Sequence, residues 1–502
     1  MEDSRRWEIC CLGRRHRASA VGPGRILTGP SGTPRRGECM PMSLASNRWA
    51  MKWIFAAAMS TALLGGCATV SHTGTTSQAS RNATIMEAGE LARSGAALVG
   101  PARSANDRQI ERLLAQLDNP TLTREAAALA AGDPLYNYVG QALLRRGLPL
   151  PRPFDRSAWH FDAANRPPAD SDGYRPPVKL AVLLPMSGTL AVPATPVRDG
   201  LLAGYYGETR RRPDISFYDT AGTTGGALAA YDQAAAEGND FVVGPLGRDE
   251  VNALFGKASL PVPVLALNRG DASPPGGNAS FSLSPEDEGI AAAEYLLGRG
   301  AHRVLVIASS DDTQQRAVTS LRDRLAERGG EVTDVVSEGI ADLGPYAQKA
   351  GGVDAVFLAI KGSNARTLMP KLALAGLAGK PRVATSQVLS GTGKPEEDRI
   401  LDGIAFPSDV WSMRGVAGLP PASNVGAQLN SAKGPAARLF AFGFDAWQIT
   451  AYLQRLATSA DGKIDGATGT LRLDGFGNVL RTPAWSTFSA GVAVPLLNAA
   501  QR

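Results

Sequence analysis

Histidine and cysteine, which often carry out catalysis or bind metals, are few in this chain, and neither has the spacing of a catalytic or metal site. Histidine occurs four times without a His-x-x-x-His spacing, and no two cysteines are spaced Cys-x-x-Cys. There is no Gly-x-Ser-x-Gly elbow and no Gly-Lys-Ser/Thr phosphate loop. Ser187 and Ser386 have no partnering base in the sequence pattern, and acyl transfer needs an activated nucleophile. We therefore expect a protein that is not an enzyme and that uses no metal or cofactor.

One cysteine has a context that predicts a chemical modification. Lys52 precedes an apolar run of about a dozen residues, which is the layout of a secretory signal and too short for a stable membrane span. The run ends in Leu64-Gly65-Gly66-Cys67, which resembles the bacterial lipobox, a signal in which the cysteine is acylated and becomes the new N-terminus. We expect residues 1–66 to be a leader and Cys67 to carry an acyl anchor; the alternative is a buried helix with an incidental cysteine. In the lipoproteins that the signal resembles, Ala68 after the cysteine favours the outer membrane over the inner one.

The basic residues of the chain are concentrated in this leader. The net charge of +5 arises before Cys67, where ten basic residues face four acidic ones, so residues 67–502 carry a charge of −1. A nearly neutral body lacks the excess of basic residues that attracts nucleic acid, so we expect no nucleic-acid partner. Residues 1–39 are rich in Arg, Pro and Gly and do not suit a signal, so we expect them either to precede the true start of translation or to be disordered. The plausible true starts are Met40, Met42 and Met51.

Composition divides the rest of the chain into four regions. Residues 67–81 are rich in Ser, Thr and Gly and predict a flexible tether, and residues 82–147 have the apolar spacing of a small helical region. Residues 148–177 are rich in proline and predict a linker. Residues 178–497 form the main body.

The body alternates short apolar runs with amphipathic segments. Such runs predict parallel strands that are buried on both faces and joined by right-handed crossovers. Seven strands are more than we expect in one small sheet, so we predict two α/β lobes. The fold class is therefore α/β with parallel, doubly wound sheets after a short helical segment. The predicted bounds are about 178–285 and 408–460 for lobe I, and 286–407 and 461–497 for lobe II. The seven runs are 179–185, 215–219, 240–245, 262–268, 303–309, 354–360 and 381–386.

In the tail, alternation around Asp474-Gly475 predicts a hairpin, and residues 484–497 predict one further strand.

If a cleft between the lobes binds a ligand, the carboxyl ends of the strands should supply the contacts. The residues at those ends are Ser187, Gly188, Gly244, Leu246, Asn268, Arg269, Thr385 and Ser386. Arg269 could bind a small anionic ligand, and the competing interpretation is that it pairs with Asp271 or solvent. The acidic run Glu286, Asp287 and Glu288 could contact a ligand or partner. We favour the interpretation that Ser284 caps a helix whose first turn these acids stabilise.

The Gly- and Pro-rich stretch 411–433 is either a partner-binding loop or disordered.

Several segments together resemble one known family. They are AVLLPMSG…VRDGLLAGYY (181–206), FVVGPLGRDEVNAL (241–254), FSLSPEDEGIAAAEYL (281–296), RLFAFGFDAW (438–447) and GATGTLRLDGFGNVLRTPAW (466–485). The order and content of these segments are similar to the type I periplasmic binding-protein fold and, more narrowly, to the lipoprotein activators of penicillin-binding proteins. The resemblance implies an outer-membrane lipoprotein on the periplasmic face whose partner is a class A penicillin-binding protein, a bifunctional peptidoglycan synthase. It covers about residues 178–495, whereas larger members carry a long helical-repeat domain in place of the short helical region here.

The alternative function is a solute-binding lipoprotein of an ABC-type amino-acid transporter. Amino-acid-binding relatives of this fold place small hydroxyl residues after the Gly-Pro turn, and this chain has Leu246-Gly247-Arg248 there. That departure disfavours an amino-acid pocket.

Overall fold

The structure is a computed structural model that describes residues 82–98, 100–155, 166–390 and 393–496. Cys67, the predicted leader and the predicted tether lie outside the described residues. Within the described part of the chain, no helix combines the length and the apolar character that crossing a membrane requires.

Four helices with a shared apolar core form the first described region. Asn82 and Asp118 cap two of them, because their side-chain oxygens accept the N–H groups of Thr84 at 2.9 Å and of Thr121 at 2.8 Å. The helices lie where the sequence predicts a helical region. They are α1 (Ala83–Gly95), α2 (Gly100–Ala115), α3 (Asn119–Ala128) and α4 (Tyr136–Arg145).

Lobe I is built on a five-stranded parallel sheet with the order β2-β1-β3-β4-β5. Its central strands read as continuous apolar runs because helices cover both faces. In chain order its elements are β1 (Lys179–Leu184), α5 (Ala191–Gly207), β2 (Asp214–Asp219), α6 (Thr224–Ala236), β3 (Phe241–Val243), α7 (Arg248–Phe255), β4 (Val264–Ala266) and β5 (Ala279–Ser280).

Lobe II contains a second, larger sheet whose strands from this part of the chain are all parallel. The two-lobed α/β class predicted from the alternating runs is therefore confirmed. Its elements are α8 (Pro285–Leu297), β6 (Arg303–Ala308), α9 (Asp312–Glu327), β7 (Glu331–Ser337), α10 (Gly344–Ala347), β8 (Ala355–Ala359), α11 (Gly362–Leu374), β9 (Arg382–Ala384), α12 (Pro395–Asp398) and β10 (Ile404–Ser408).

After β10 the chain returns to lobe I through three helices, α13 (Val410–Arg414), α14 (Ala422–Gln428) and α15 (Ala436–Thr458). The stretch 411–433 is folded, so the disorder interpretation is wrong. Trp411 is buried, its ring stacks on Phe440 with centroids 5.1 Å apart, and its Nε1 donates to the carbonyl of Pro420 at 2.8 Å.

Glycines let α15 lie directly against α5. A Cβ on Gly443 would lie 1.9 Å from the carbonyl oxygen of Val197, and a Cβ on Gly200 would lie 1.8 Å from the carbonyl oxygen of Phe440. The two backbones are thus in contact, and neither position can hold a larger residue without a shift of the helices. This contact sets the position of the first turn of α15.

The tail corrects the predicted lobe boundary. It contains β11 (Ile464–Asp465), β12 (Thr470–Leu473), β13 (Val479–Thr482), β14 (Ala484–Ser489) and β15 (Val492–Pro495). The hairpin predicted at Asp474-Gly475 is confirmed as β12–β13. Assigning all of 461–497 to lobe II is wrong, because the inward side chains of the hairpin, such as Leu471, belong to the core of lobe I.

Only β14 and β15 join lobe II, where they complete the sheet order β15-β14-β10-β9-β8-β6-β7. The single strand predicted over 484–497 is in fact these two strands, separated by a turn at Ala490-Gly491.

The described ends of the proline-rich segment 148–177 are packed and do not form a free tether. Phe154 is buried in the core of the helical region, and Tyr174 is buried in the core of lobe I.

Candidate functional site

The predicted cleft residues lie at the carboxyl ends of their strands, but the structure brings few of them together. Ser187 and Gly188 are exposed in a loop after β1, where Asp219 accepts the N–H of Ser187 at 3.2 Å. Gly244 follows β3 with a φ of 106°. A Cβ on Gly244 would lie 2.0 Å from the carbonyl oxygen of Leu183, so the strand end requires glycine.

Two other predicted residues stabilise the neighbouring loops. Asn268 donates to the carbonyl of Leu246 at 3.0 Å, which joins the loops after β3 and β4. Thr385 is buried and its hydroxyl donates to Gln314 at 3.1 Å within lobe II. These contacts are local and do not reach across the cleft.

Arg269 does reach across to α8 of lobe II, whereas Ser386 contacts the same helix from within lobe II. Glu288 of α8 accepts the N–H of Ser386 at 2.9 Å and its hydroxyl at 2.8 Å. Arg438, in the first turn of α15, donates to both Glu288 and Ser386. Lobe I therefore supplies an arginine to a carboxylate of lobe II.

A second pair repeats this arrangement. Arg269 of lobe I donates to Asp287 of α8 at 2.8 Å. The predicted pairing of Arg269 with Asp271 is wrong, because Asp271 pairs instead with Arg248 at 2.8 Å. The side chains of Arg269 and Asp287 are 25% and 16% exposed, so the pair is largely shielded from water.

The acidic run therefore has two roles. The capping prediction is confirmed, since Ser284 Oγ accepts the N–H of Asp287 at 3.3 Å at the start of α8. In addition, each acid has its own arginine, because Glu286 binds Arg316 of α9 at 2.7 Å. Dipole stabilisation alone would have left these carboxylates in solvent.

Two further charged groups complete what we call the interlobe cluster, which consists of Arg269, Asp287, Glu288, Ser386, Asp409, Arg438 and Arg481. Arg481 of β13 is 7% exposed and donates to the carbonyl of Thr468 at 3.2 Å. Asp409, just after β10, lies 3.9 Å from Arg438. Three cationic and three acidic side chains thus meet where the lobes join.

The electrostatics of the cluster keep Glu288 charged. Burial by itself would raise the pKa of Glu288, but the charges of Arg438 and Arg481 and hydrogen bonds from Ser386 and Arg438 outweigh it and hold the pKa below its ordinary value. Burial raises the pKa of Asp409, although the same two arginines oppose the change. Burial also lowers the pKa of Arg481, with further lowering from the neighbouring charge of Arg438.

The buried carboxylate of Asp445 holds the segment before β12 in place beside the interlobe cluster. Asp445 of α15 accepts the N–H groups of Ala467 and Thr468 at 2.6 Å and 2.7 Å and the Thr468 hydroxyl at 2.6 Å. A Cβ on Gly466 would lie 2.6 Å from Asp445 Oδ1, so the carboxylate fits only beside glycine. Burial raises the pKa of Asp445 to about 7, against the lowering effect of the hydrogen bonds from Thr468 and Ala467.

This arrangement is suited to holding two lobes together and poorly suited to nucleophilic catalysis. The low pKa of Glu288 makes it a weak base for Ser386, and Arg438 donates to the hydroxyl oxygen that would have to attack. Over the residues that the structure describes, no group of His, Cys, Asp and Glu could hold a metal ion. Two of the three arginines of the cluster, Arg269 and Arg438, are paired with the chain's own carboxylates, whereas Arg481 donates to the carbonyl of Thr468.

The sequence interpretation missed Arg438, Arg481, Asp409 and Asp445, which come from distant segments. One signal was available for Glu288, because it shares a helical face with Ala292 and Leu296 at spacings of four residues. A carboxylate on a buried face must find a partner, although the sequence does not identify it.

The helical region docks on the tip of the β12–β13 hairpin. Gln141 of α4 donates to the buried Asp474 at 2.7 Å, and the rings of Tyr138 and Phe476 lie 4.6 Å apart. A cavity of about 720 Å³ lies beside this contact, between α2, α4 and the loops of lobe I. The sequence predicted the hairpin, but not that its turn contacts the helical region.

The comparisons with known proteins agree with this architecture. The family described as LppC putative lipoprotein matches residues 174–336 and 341–491. The "Penicillin-binding protein activator LpoA" of Photobacterium profundum is 26% identical over 361 residues, covering 63% of this chain and 56% of that protein. The chain thus spans little more than half the length of this relative.

Two solved structures are also similar. Full-length LpoA from Haemophilus influenzae has a TM-score of 0.57 at 19% identity, covering 82% of this chain and 78% of that one. A protein from Chromobacterium violaceum, assigned to branched-chain amino acid ABC transport, has a TM-score of 0.50 at 28% identity, covering 62% of this chain and all of that one. Both support the two-lobed fold.

Proposed function

The chain belongs to the LppC lipoprotein family, and we propose that it binds and activates a bifunctional peptidoglycan synthase of the class A penicillin-binding proteins. The proposal rests on the family match, on the relatives named as activators, and on a cleft in which Arg269 and Arg438 are paired with carboxylates of α8. The last observation favours the activator over the solute-binding alternative, because it leaves fewer charged groups at the cleft to bind a ligand.

The chain acts by contact and carries out no reaction of its own. A regulatory protein of this kind activates its partner by binding the active conformation more tightly than the inactive one. The interlobe cluster keeps the lobes in one arrangement, so the surface presented to the synthase is preorganised. Acylation at Cys67 holds the protein at the periplasmic face of the outer membrane, and the lipid chain supplies the membrane contact.

The stretch 411–433 is our proposed contact surface for the synthase. It lies on the outside of α15, and Leu429 is 43% exposed there while Trp411 fixes the segment from beneath. Leu429→Asp should weaken synthase binding without unfolding the lobe. Val192→Asp in α5, where the side chain is 82% exposed, is the matched control.

The test is reconstitution with a class A penicillin-binding protein from the same organism. The purified chain should bind the synthase and increase its rate of glycan polymerisation. A Cys67→Ser variant should retain this stimulation in detergent but lose membrane association in cells. Absence of both binding and stimulation would remove the proposal.

The solute-binding alternative is favoured by the Chromobacterium violaceum likeness and disfavoured by the pairing of Arg269 and Arg438 with carboxylates of α8. A ligand that binds only the folded state raises the melting temperature by mass action. A thermal-shift screen of free amino acids against the full chain therefore decides between the two. A saturable shift that Arg269→Ala abolishes would favour transport.

A further inference from the structure

A second gap in the molecule separates the helical region from lobe II. It has a volume of about 340 Å³ and lies between the end of α4 and the ends of α8 and α9. Arg145 and Arg146 contribute from the helical side, and His302 and Arg328 contribute from lobe II. Both walls therefore present basic side chains to the same space.

The acidic groups nearby do not balance these charges. Glu294 is the one carboxylate among the residues that line this gap, and it already binds Arg324 at 2.5 Å and lies 3.8 Å from Arg328. Arg145 has only a looser contact with Glu111, at 3.5 Å. Arg146 has no carboxylate partner among the described residues.

The hydrogen bonds of Arg146 explain its position but leave its charge without a counter-ion. Its two Nη atoms donate to the carbonyls of Leu114 and Leu117, at 2.9 Å and 2.7 Å, at the end of α2. The Nε atoms of Arg146 and of Arg328 are buried without a hydrogen-bond partner. Burial, and then repulsion from Arg328 and Arg324, lower the pKa of Arg146 to about 10.

We propose that this gap binds a phosphate group, which bridges the helical region and lobe II. Guanidinium groups converging from two sides match the tetrahedral oxygens of phosphate, and a dianion offsets the repulsion between the walls. No hydrogen bond or ion pair joins these walls directly within the described ranges, so the anion supplies a connection that the side chains lack. The volume accommodates a phosphate with a small organic substituent.

The test uses the full chain and inorganic phosphate, titrated by calorimetry at constant ionic strength with chloride as the balancing anion. We expect saturable binding at one site and competition by sulfate. Arg328→Gln should weaken binding at least tenfold, because it removes a charge-assisted hydrogen bond to the phosphate. Arg322→Gln, an exposed position on the same helix, is the matched control and should bind as the unsubstituted chain does.

Vesicles distinguish a free phosphate from one on a lipid. If phosphatidylglycerol vesicles, but not phosphatidylcholine vesicles, displace inorganic phosphate, the source is a membrane headgroup. If inorganic phosphate binds and neither vesicle competes, the source is a soluble phosphate ester or phosphate itself. The proposal is overturned if phosphate does not saturate, or if Arg328→Gln and Arg322→Gln bind equally well. Equal circular dichroism spectra of the two variants exclude misfolding as the cause of a loss.

Discussion

Removing the Glu288 carboxylate should loosen the two lobes from each other. In Glu288→Ala, Ser386 loses the acceptor of its N–H and hydroxyl, and Arg438 and Arg481 keep buried positive charges without their main counter-ion. A buried charge without a partner is more costly than an exposed one, because protein atoms replace the water that would solvate it.

The structure sets the size of this effect. Glu288 has 7% of its side chain exposed, so the pair is of the buried kind. Removing one partner of a buried pair costs about 3–5 kcal/mol. Glu288→Gln keeps one carbonyl acceptor and should cost less, about 1.5–3 kcal/mol.

The loss should also depend on pH. The folded pKa of Glu288 is below its ordinary value of 4.5, so its stabilisation is present above about pH 4.5 and is lost as the pH falls through the folded pKa. The difference between the unsubstituted chain and Glu288→Ala should therefore be large at pH 7 and shrink below pH 4.5.

Urea unfolding, followed by far-ultraviolet circular dichroism, measures the change. Glu396→Ala is the control, because Glu396 is exposed and should shift the free energy of unfolding by no more than about 0.5 kcal/mol. Small-angle scattering on the same samples reports whether the lobes separate.

A double-mutant cycle with Arg438→Ala tests the reasoning itself. If the two side chains stabilise each other, the double variant should cost less than the sum of the single variants by about 1–3 kcal/mol. Additive losses, or a Glu288→Ala variant that unfolds like Glu396→Ala, would refute the inference that Glu288 and Arg438 hold the two lobes together.

Three further predictions follow from buried contacts. Gly443→Ala should destabilise the chain by more than about 2 kcal/mol, because the new Cβ would lie 1.9 Å from a backbone oxygen. Gly225→Ala, whose Cβ would have no atom within 4 Å, should be neutral or stabilising by up to about 1 kcal/mol. Thermal unfolding of the two variants measures the difference. The raised pKa of Asp445 means that the folded state favours the protonated form, so this contribution to stability grows as the pH falls from about 7 and is lost as the pH rises. The urea midpoint of the unsubstituted chain, compared with that of Asp445→Asn, should therefore be lower at pH 8 than at pH 5. A difference between the two midpoints that is the same at both pH values contradicts the assignment. Gln141→Leu removes the donor to Asp474 and should speed limited proteolysis within 148–177, while unchanged cleavage would show that the helical region docks without this bond.

The strands of the body were predictable because local patterning decides them. A continuous apolar run such as 303–309 is buried on both faces wherever it lies in a parallel sheet, so the sequence identifies it without knowing its neighbours. Strands β5, β7 and β10 were missed. Strand β7 is an edge strand with mostly half-buried or exposed residues, β5 is too short for a pattern, and the proline in β10 argues against a strand although every residue of β10 is buried. The tail was placed in the wrong lobe because alternation shows that a hairpin has an apolar face but not which core that face covers.

The candidate site divides in the same way. The sequence by itself determined the type of fold, the strand ends at which Arg269 and Ser386 lie, and the helix cap at Ser284, since each depends on neighbours a few residues away. Only the tertiary structure decided that Asp287 and Glu288 meet Arg269 and Arg438, because Arg438 is 150 residues from Glu288. Pairing across that distance is set by the contact of α5 with α15 and by the meeting of the lobes, and no local pattern records either.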